Sequence, residues 1–367
     1  MIRGEVNVTM KKKLILAINP GSTSTKIALF EGTDSLFEKT LRHSAGELSQ
    51  FPDIISQYGF RKDLIVKAIE ESEYELSDIA IVVGRGGALR PIDSGTYLVN
   101  DLMKEDLIEG AARTGHASNL GGLIADDMAR SLPDARAVIA DPPVVDELED
   151  VARFAGHPAF TRKSIFHALN QKAVARRHAE TAGRNYRDLN LIVAHLGGGI
   201  SVGAHRKGRV VDVNDALDGE GAFSPERSGG LPAGQLVKFC FSGKKDAGEL
   251  KKMLVGRGGV SAYLGTSDMK DVEKRIAGGD TDAALVYDAM IYQVAKDIGA
   301  MFTVLEGEVD GIIITGGIAF SDLLIEKLKA RIDKLAKIFV YPGEDEMEAL
   351  ALNGRLILEG KIEPIEY

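Results

Sequence analysis

The chain has 367 residues, a formal net charge of −9 at pH 7, 44% hydrophobic residues and 27% charged residues. This length suits two domains better than one core, and no run reaches the roughly 18–20 apolar residues that a membrane-spanning helix needs. The acidic balance argues against broad contact with nucleic acid, which uses clustered Lys and Arg.

Cys240 is the only cysteine of the chain. A single cysteine excludes an intrachain disulfide and a cysteine metal cluster, and it favours a reducing compartment. Residues 1–13 contain lysines but lack the apolar stretch and cleavage site of a signal peptide. We therefore expect a cytoplasmic protein.

One pattern occurs twice: an apolar run, a glycine turn and a second apolar run. The copies are Leu14–Ser24 and Leu191–Ser201, which match without a gap at an offset of 177 positions. Each copy predicts a strand, a tight turn and a strand. The repeat predicts a duplicated domain with a cleft between the halves, where the amides of both turns point at one shared anion.

Three further elements are predicted in the first half, namely a helix over 63–72 and strands over 79–83 and 137–140. The first of these strands stops at a glycine-rich turn that contains Arg85, and the second stops at Asp141. Ligand crevices of open α/β sheets lie beyond the carboxyl ends of strands. Arg85 and Asp141 are therefore candidate functional residues.

The second half alternates helices and strands around the second hairpin. Its other predicted elements are a helix over 164–177, an amphipathic helix containing 291–305, a strand over 311–315, a helix over 321–335 capped by Ser321, and a strand over 338–341. The strand over 311–315 stops at Gly316 and Gly317. The pattern predicts a βαβ unit with a glycine turn at the end of its first strand.

The first hairpin turn is rich in amide, hydroxyl and ammonium groups that could surround a phosphoryl group. Its candidate residues are Asn19, Ser22, Ser24 and Lys26. The turn is not a Walker A loop, because Thr25 precedes the lysine and a strand follows. The alternative is a polar turn without a ligand, but its repetition as Gly197, Gly198 and Gly199 favours phosphate.

Arg85 and Arg227 each lie beside glycines, and guanidinium groups bind carboxylates and phosphates through paired hydrogen bonds. The alternative for either arginine is a surface ion pair. Among seven histidines the candidates are His116, His167 and His195, and none has the i,i+4 spacing of a helical metal site. His195 could instead be a satisfied core histidine.

Two carboxylates complete the candidates. Asp141 could orient Mg²⁺ or a histidine, or it could form a turn before Pro142. From spacing alone, Glu346 would be a solvated acidic residue at the start of a helix.

Taken in order, these residues resemble the motifs of the acetokinase family of acetate and butyrate kinases, relatives of actin, hexokinases and heat-shock chaperone ATPases. The matching segments are Asn19–Lys26, His116–Asn119, Ala140–Asp141, Ile165–His167, His195–Gly199, Glu226–Gly229, Thr315–Ile318 and Glu346. The resemblance implies an α/β fold with two duplicated ribonuclease H-like domains around a nucleotide cleft. The N-terminal domain would cover 13–160 on the acyl-substrate side, completed by a helix at 347–360, and the nucleotide-side domain would cover 161–346.

The implied reaction is reversible phosphoryl transfer between ATP and a carboxylate. A carboxylate with a pKa of about 4 to 5 is ionised at neutral pH and needs no general base. The implied catalytic residues are Arg85, Asp141, His167 and Arg227. The implied substrate-binding residues are Arg85, His116 and Asn119. The implied nucleotide-binding residues are Ser22, Ser24, Lys26, His195, Gly197, Gly198, Gly199, Gly316 and Gly317. Asn19 and Glu346 would hold Mg²⁺.

The departures from acetate kinases resemble the butyrate kinase branch. The chain has Val83–Gly87 where acetate kinases have H-R-V-V-H-G-G, Gly198 where they have Asn, and Gly230 where they have an acidic residue. Less polar bulk near a pocket suits a longer acyl chain, so we expect butanoate as substrate. Isobutyrate, acetate and propionate stay open as alternatives.

The expected partners are a small carboxylate, a nucleotide (ATP or ADP) and further copies of the chain, with no nucleic acid and no membrane. A sugar or polyol kinase of the same superfamily would need an Asp base, for which Asp141 is the candidate. An actin-like filament or chaperone ATPase would leave the arginines and His116 without a role. A metal-dependent tRNA-modifying relative is disfavoured because H-x-x-x-H is absent.

Overall fold

The computed structural model describes residues 13–367, so the expectation about residues 1–12 lies outside the described part of the chain. The described chain divides into two compact units. The first comprises the residues up to Arg90, Gly95–Pro142 and Glu346–Tyr367, and the second comprises Pro91–Ser94 and Pro143–Asp345. No helix within residues 13–367 combines the length and the apolar character needed to cross a membrane.

A six-stranded mixed sheet forms the centre of the first unit. Its elements up to residue 142 are β1 (Leu14–Pro20), β2 (Ser24–Glu31), β3 (Asp34–Arg42), α1 (Ala45–Leu48), α2 (Tyr58–Glu70), β4 (Ile79–Arg85), β5 (Thr96–Leu98), α3 (Asp101–Thr114), α4 (Leu120–Arg130) and β6 (Arg136–Ala140). The strand order is β3-β2-β1-β4-β6-β5. Strands β1, β4 and β6 are parallel, so their carboxyl ends share one edge of the sheet.

A five-stranded sheet forms the centre of the second unit. Its elements are α5 (Ala168–Thr181), β7 (Asn190–Leu196), β8 (Ile200–Arg206), β9 (Arg209–Val213), α6 (Ala233–Cys240), α7 (Ala247–Leu254), α8 (Gly259–Leu264), α9 (Met269–Ala277), α10 (Thr281–Val304), β10 (Gly311–Gly316), α11 (Asp322–Ile332) and β11 (Ile338–Pro342). The strand order is β11-β10-β7-β8-β9. Strands β7, β10 and β11 are parallel.

The last helix, α12 (Glu346–Leu358), belongs to the first unit and packs on β1 and β4. Gly354 allows this packing, because a Cβ there would lie 2.7 Å from Ile15 Cγ2 and 3.0 Å from Val83 Cγ2. Each unit therefore pairs an antiparallel three-stranded segment, β3-β2-β1 or β9-β8-β7, with parallel strands beside its first strand. The predicted α/β fold with duplicated sheets is confirmed.

The two hairpins differ in register, which corrects the gap-free match. Asn19 pairs with Lys26, and the innermost pair, Pro20 with Thr25, encloses four residues, 21–24. Leu196 pairs with Ile200 across only three, 197–199. Consecutive glycines permit the tighter turn, whereas proline's fixed φ restricts the backbone at position 20 of the wider one. With the offset of 177, the first strands of the two hairpins correspond, since Asn19 is equivalent to Leu196. In the second strands, the residues that pair with these two positions differ from that offset by three.

The predicted strands over 79–83, 137–140, 311–315 and 338–341 are confirmed. Arg85 lies within β4 rather than in the turn after it, and the helix predicted over 63–72 begins earlier, at Tyr58. The cap is also confirmed, because Ser321 Oγ accepts a hydrogen bond from Leu324 N at 3.0 Å, although the helix ends at Ile332.

The helix predicted over 164–177 is wrong at its start. It begins at Ala168, because the preceding residues bond to other segments. Ser164 Oγ donates to the Val145 carbonyl at 2.7 Å, and the Ile165 carbonyl accepts from Ala216 N at 2.9 Å.

Two glycines bring β4 and α4 into direct contact. A Cβ on Gly84 would overlap the backbone of Gly121, and a Cβ on Gly121 would overlap the backbone of Arg85. The position of Arg85 therefore depends on this close approach between strand and helix.

We expect Gly84→Ala to lower the free energy of unfolding by about 1–3 kcal/mol, because the added methyl forces β4 and α4 apart. Gly59→Ala is the matched control, since Gly59 lies in α2 with open space around its Cα. That change should be neutral or stabilising by about 0.5–1 kcal/mol. Urea denaturation of both variants tests the prediction, and equal effects would contradict it.

Candidate active site

The turn between β1 and β2 rests on the side chain of Arg61, which is fully buried (0% exposed). Its Nη1 donates to the carbonyls of Gly21 at 2.8 Å and Ser24 at 3.1 Å, and its Nη2 donates to the carbonyl of Ser22 at 3.1 Å. One guanidinium thus holds three backbone carbonyls of the four residues, 21–24, between the paired residues Pro20 and Thr25. This arrangement fixes the shape of the predicted phosphate turn.

The other partners of Arg61 are also uncharged. Its Nη2 donates to Gln57 Oε1 at 2.8 Å and its Nη1 to Thr25 Oγ1 at 3.2 Å, and no carboxylate within residues 13–367 pairs with it. Burial lowers the pKa of Arg61 to about 10, so the side chain keeps its charge at neutral pH. A buried cation without a counter-ion favours an anion at the turn above it.

The candidate side chains of this turn lie on its accessible side. Ser22 and Lys26 are exposed and Ser24 is half-buried. Lys26 Nζ lies 3.5 Å from Glu38 Oε1, with both side chains about half exposed, so the ion pair is weak. Lys26 can exchange this partner for a ligand at little cost.

Three predicted residues from distant parts of the chain meet at the carboxyl edge of the first sheet. Arg85 Nη1 lies 2.8 Å from Glu346 Oε1 and donates to Asn19 Oδ1 at 3.2 Å. Asn19 Nδ2 donates to Glu346 Oε2. Glu346 lies in the first turn of α12, where the helix dipole stabilises its negative charge.

Asn19 and Glu346 bring amide and carboxylate oxygens into one cluster, in which Asn19 Oδ1 and Glu346 Oε1 both contact Arg85. Mg²⁺ is usually held by one or two protein carboxylates together with substrate phosphates, and this donor set fits that pattern. Among the described residues, no group of three or more His, Cys, Asp or Glu side chains suits a metal that needs an all-protein cage. The residues present therefore fit a cation that a ligand helps to hold.

His116 and Asn119 form one structural group beside the same edge. His116 is exposed, and its Nδ1 accepts from Ser118 N at 3.2 Å. Desolvation and the charge of Arg85 lower the pKa of His116, so the ring is neutral at pH 7 and carries its proton on Nε2. Asn119 is fully buried; it accepts from Ala88 N at 2.7 Å and donates to the His116 carbonyl at 2.8 Å. Its amide therefore holds His116 in place.

Asp141 directly follows β6 and is buried. Its Oδ1 accepts a hydrogen bond from Gly95 N at 3.0 Å, and its backbone is left-handed with φ 37°. A non-glycine residue adopts this conformation only where its surroundings hold it there. The carboxylate is therefore fixed at the strand end.

The glycine turn of the second unit is braced from both sides. Gly197 N donates to the Gly199 carbonyl at 3.0 Å, and Ser224 Oγ donates to the Gly198 carbonyl at 2.6 Å. Arg227 packs against Gly199, since a Cβ there would overlap its guanidinium. A larger residue at position 199 would therefore displace the guanidinium of Arg227.

Arg227 is positioned by backbone contacts rather than by a carboxylate. Its Nη1 donates to the Ala216 carbonyl at 2.9 Å, and its backbone N donates to Ser224 Oγ at 3.1 Å. Burial lowers the pKa of Arg227, but an arginine stays charged at neutral pH. The structure therefore holds a cation beside three consecutive glycines.

His167 and His195 stack in parallel, with ring centroids 3.8 Å apart and 11° between their planes. His195 Nδ1 lies 2.8 Å from Asn170 Oδ1, and Asn170 Nδ2 donates to the Glu344 carbonyl at 3.0 Å, which fixes the orientation of the amide. His195 Nδ1 is therefore the donor. Its Nε2 is buried, lies 3.5 Å from Glu344 Oε1 and has no hydrogen-bond partner among the described residues.

Gly316 and Gly317 lie at the same sheet edge as the glycine turn, because Thr315 pairs with His195. Gly316 has φ 93°, and a Cβ there would overlap the Leu196 backbone. Gly317 begins a short 3₁₀ helix and has open space around its Cα. These two glycines therefore place no side chain at the end of β10.

The predicted residues are divided between the two units. The first unit contains Asn19, Ser22, Ser24, Lys26, Arg85, His116, Asn119, Asp141 and Glu346, and the second contains His167, His195, Gly197, Gly198, Gly199, Arg227, Gly316 and Gly317. Direct contacts join Asn19, Arg85 and Glu346 in the first unit, and in the second they join His167 to His195 and Arg227 to Gly199. Arg61, Asn170 and Ser224 support these residues and were not predicted. Asn170 could have been found, because it lies three residues after His167 at the start of α5.

A family model described as the acetokinase family matches residues 136–338. The chain is 54% identical over 358 residues to butyrate kinase 2 of Clostridium acetobutylicum, covering 98% of this chain and 100% of that protein. It is also 54% identical over 348 residues to a probable butyrate kinase of Bacteroides thetaiotaomicron, covering 95% and 98%.

Two solved structures share the fold at low sequence identity. Acetate kinase of Porphyromonas gingivalis superposes with a TM-score of 0.76 at 20% identity, covering 94% of this chain and 100% of that one. A propionate kinase of Francisella tularensis gives 0.72 at 20% identity, covering 93% and 98%. The fold is therefore that of the acetate and propionate kinases.

We expect Arg61→Met to lower the free energy of unfolding by at least about 3 kcal/mol, because three turn carbonyls lose their donor. Lys67→Met is the matched control on the same helix, since that side chain is 71% exposed. Its effect should stay within about 0.5 kcal/mol. Urea denaturation measures both, and a wild-type midpoint for Arg61→Met would contradict the assigned role.

Proposed function

We propose that this chain, which belongs to the acetokinase family, catalyses reversible phosphoryl transfer from ATP to butanoate, giving ADP and butanoyl phosphate. The observation that carries the proposal is the 54% identity, over 98% of the chain, to a protein named butyrate kinase 2. The proposal includes a cytoplasmic location and assembly into homo-oligomers.

We assign the acyl substrate to the first unit. The Arg85 guanidinium binds the carboxylate, and His116, neutral with its proton on Nε2, donates a hydrogen bond to it. Asn119 acts by holding His116. Asp141 is assigned to orient a cation at the carboxyl edge of the sheet.

Asn19 and Glu346 would hold Mg²⁺. When bound, the ion would supply positive charge that neutralises part of the charge of the nucleotide phosphates. Ser22, Ser24 and Lys26 are assigned to phosphate oxygens, above the positive charge of Arg61.

We assign the nucleotide to the second unit. The amides of Gly198 and Gly199 bind phosphate oxygens, and Gly316 and Gly317 lie along the adenosine. Gly197, whose amide donates to the Gly199 carbonyl, and His195, whose Nδ1 donates to Asn170, hold the shape of this phosphate turn. Arg227 and His167 stabilise the charge on the transferring phosphoryl group.

The proposed step brings an anion against a negatively charged polyphosphate, but only one bond forms and one bond breaks. A carboxylate oxygen of butanoate bonds to the γ-phosphorus while the bond from that phosphorus to the ADP oxygen breaks. No proton moves, because the nucleophile is already ionised and ADP leaves as an anion. The chain supplies cations and hydrogen-bond donors, which is what such a transition state requires.

We expect Arg227→Ala to lower kcat by at least ~10² while the KM for ATP stays nearly unchanged, because the guanidinium acts mainly in the transition state. Arg331→Ala, an exposed arginine of α11, is the control and should keep wild-type kinetics. Steady-state assays measure both, with thermal melts to verify folding. Near-normal turnover of Arg227→Ala would remove the arginine from the mechanism.

The substrate assignment is tested with acetate, propionate, butanoate, isobutanoate and pentanoate, trapping the acyl phosphates as hydroxamates. We expect kcat/KM for butanoate to exceed that for acetate at least ~10-fold, since two additional methylenes are buried. A clear preference for acetate would reject butanoate as the substrate. ATP consumption with glycerol or hexoses and none with fatty acids would reject carboxylate kinase activity altogether.

A further inference from the structure

A chain of buried hydrogen bonds leads from His167 into the core of the second unit. His167 Nδ1 lies 2.8 Å from Ser201 Oγ, and Gln171 Nε2 lies 2.9 Å from the same oxygen. Gln171 Oε1 lies 3.0 Å from His205 Nε2, and His205 Nδ1 lies 2.7 Å from the Tyr186 hydroxyl. Ser201, Gln171 and His205 are all 0% exposed. Water therefore cannot replace any of these bonds.

The orientation of the Gln171 amide sets the direction of the chain. Gln171 Nε2 lies 3.1 Å from the backbone carbonyl of Ser201, which can only accept a hydrogen bond. The amide nitrogen must therefore face Ser201, and the amide oxygen must face His205. Turning the amide around would oppose two acceptors at one end and leave a buried carbonyl without a donor.

His205 then has one consistent tautomer. Its Nε2 donates to Gln171 Oε1, and burial lowers the pKa of His205 well below its ordinary value, so the ring is neutral. Its Nδ1 accepts from the Tyr186 hydroxyl. The interior end of the chain thus agrees with the direction that the amide sets.

The Ser201 hydroxyl also has only one consistent hydrogen-bond arrangement. Its hydroxyl oxygen accepts from Gln171, and its proton has one acceptor among the described residues, His167 Nδ1. If Nδ1 carried the proton instead, the buried Ser201 hydroxyl would lose its acceptor, which is unfavourable for a buried polar group. Nδ1 therefore accepts, and the ring proton of neutral His167 lies on Nε2.

We propose that Ser201 and Gln171 are positioning residues that fix the Nε2–H tautomer of His167, so that the ring presents a hydrogen-bond donor to an oxygen of the transferring phosphoryl group. His167 is the N-cap residue of α5, and Gln171 lies four residues later, where its backbone N donates to the His167 carbonyl at 2.9 Å. The identity of the phosphoryl group rests on the proposed function, whereas the tautomer does not.

A fixed donor suits the proposed chemistry. Negative charge spreads over the phosphoryl oxygens in the transition state, and a donor already in place stabilises it without reorganisation. The opposite tautomer would direct the Nε2 lone pair at an oxygen anion. The positioning residues should therefore affect kcat more than substrate binding.

The tautomer is tested first, without substrate, by nitrogen NMR of the full-length protein labelled at histidine, with His167 assigned from a His167→Asn variant. We expect a protonated Nε2 and an unprotonated Nδ1 in the wild type. Gln171→Glu, studied at a pH at which the carboxyl of Glu is ionised, should reverse them, because the carboxylate accepts the Ser201 proton and His167 Nδ1 must then donate. A wild-type ring protonated at Nδ1, or an unchanged tautomer in the ionised Gln171→Glu variant, would overturn the proposal.

Ser201→Ala and Ser201→Thr provide a second pair if Gln171→Glu does not fold. Alanine removes the hydroxyl that donates to Nδ1, and we expect mixed tautomers and a kcat at least ~10-fold lower, with KM values changed less than about threefold. Threonine keeps the hydroxyl and should restore both. Failure of threonine to restore the tautomer would count against the proposal.

Ser164→Ala is the matched control, because Ser164 is also buried and its hydroxyl also donates one hydrogen bond, to the Val145 carbonyl. We expect it to keep the wild-type tautomer and kcat. An equal loss of kcat in Ser201→Ala and Ser164→Ala would show that Ser201 acts only in stabilising the fold, which would overturn its assignment as a positioning residue. A wild-type protein with the expected tautomer but no carboxylate kinase activity would reject the proposed function and leave the tautomer assignment intact.

Discussion

The first unit depends on the contact among Asn19, Arg85 and Glu346. These side chains come from the end of β1, the end of β4 and the first turn of α12, and 327 positions separate Asn19 from Glu346. Arg85 requires a counter-ion at the sheet edge, and Glu346 supplies it only when α12 lies across β1 and β4. The packing of α12 on the sheet therefore also completes the candidate substrate site.

The two units share the same arrangement of strands, but each places its arginine differently relative to the hairpin turn. In the first unit, Arg61 lies beneath the hairpin turn and donates to its backbone carbonyls. Its positive charge therefore acts on a ligand from behind the turn. In the second, the three-residue glycine turn lies beside Arg227, whose guanidinium is itself at the site. Both arginines are held by carbonyl oxygens rather than by carboxylates, so an incoming anion meets cations that are not already neutralised.

Local pattern accounts for what the sequence could predict. Strands such as β1, β7 and β10 are continuous apolar runs, and the cap at Ser321 needs only neighbouring residues. Helices α6 and α7 were not predicted; both are amphipathic, yet neither buries a residue in the structure. Strand β3 lacks a buried face and forms because β2 offers an edge to pair with.

Tertiary contacts account for what the sequence could not predict. From spacing alone Glu346 was a solvated residue, and only the return of α12 to β1 makes it part of a site. Nothing local distinguishes the buried Arg61 from a surface arginine on an amphipathic helix. The pairing of the second strand of each hairpin differs by three residues between the two copies, and this difference cannot be read from the aligned sequences alone. The family resemblance supplied the candidate residues, but not what holds them.

The discontinuity of the first unit also has a consequence in time. Its sheet is synthesised by residue 142, but the helix that covers β1 and β4 begins at residue 346. At roughly 5–20 residues per second on the ribosome, residues 143–346 take about 10–40 s to appear. During that interval the apolar faces of Ile15 and Val83 that will receive Gly354 lack their native cover. The nascent chain therefore carries an exposed sheet surface while the whole second unit is being made, and this surface is where chaperone binding or premature association would begin.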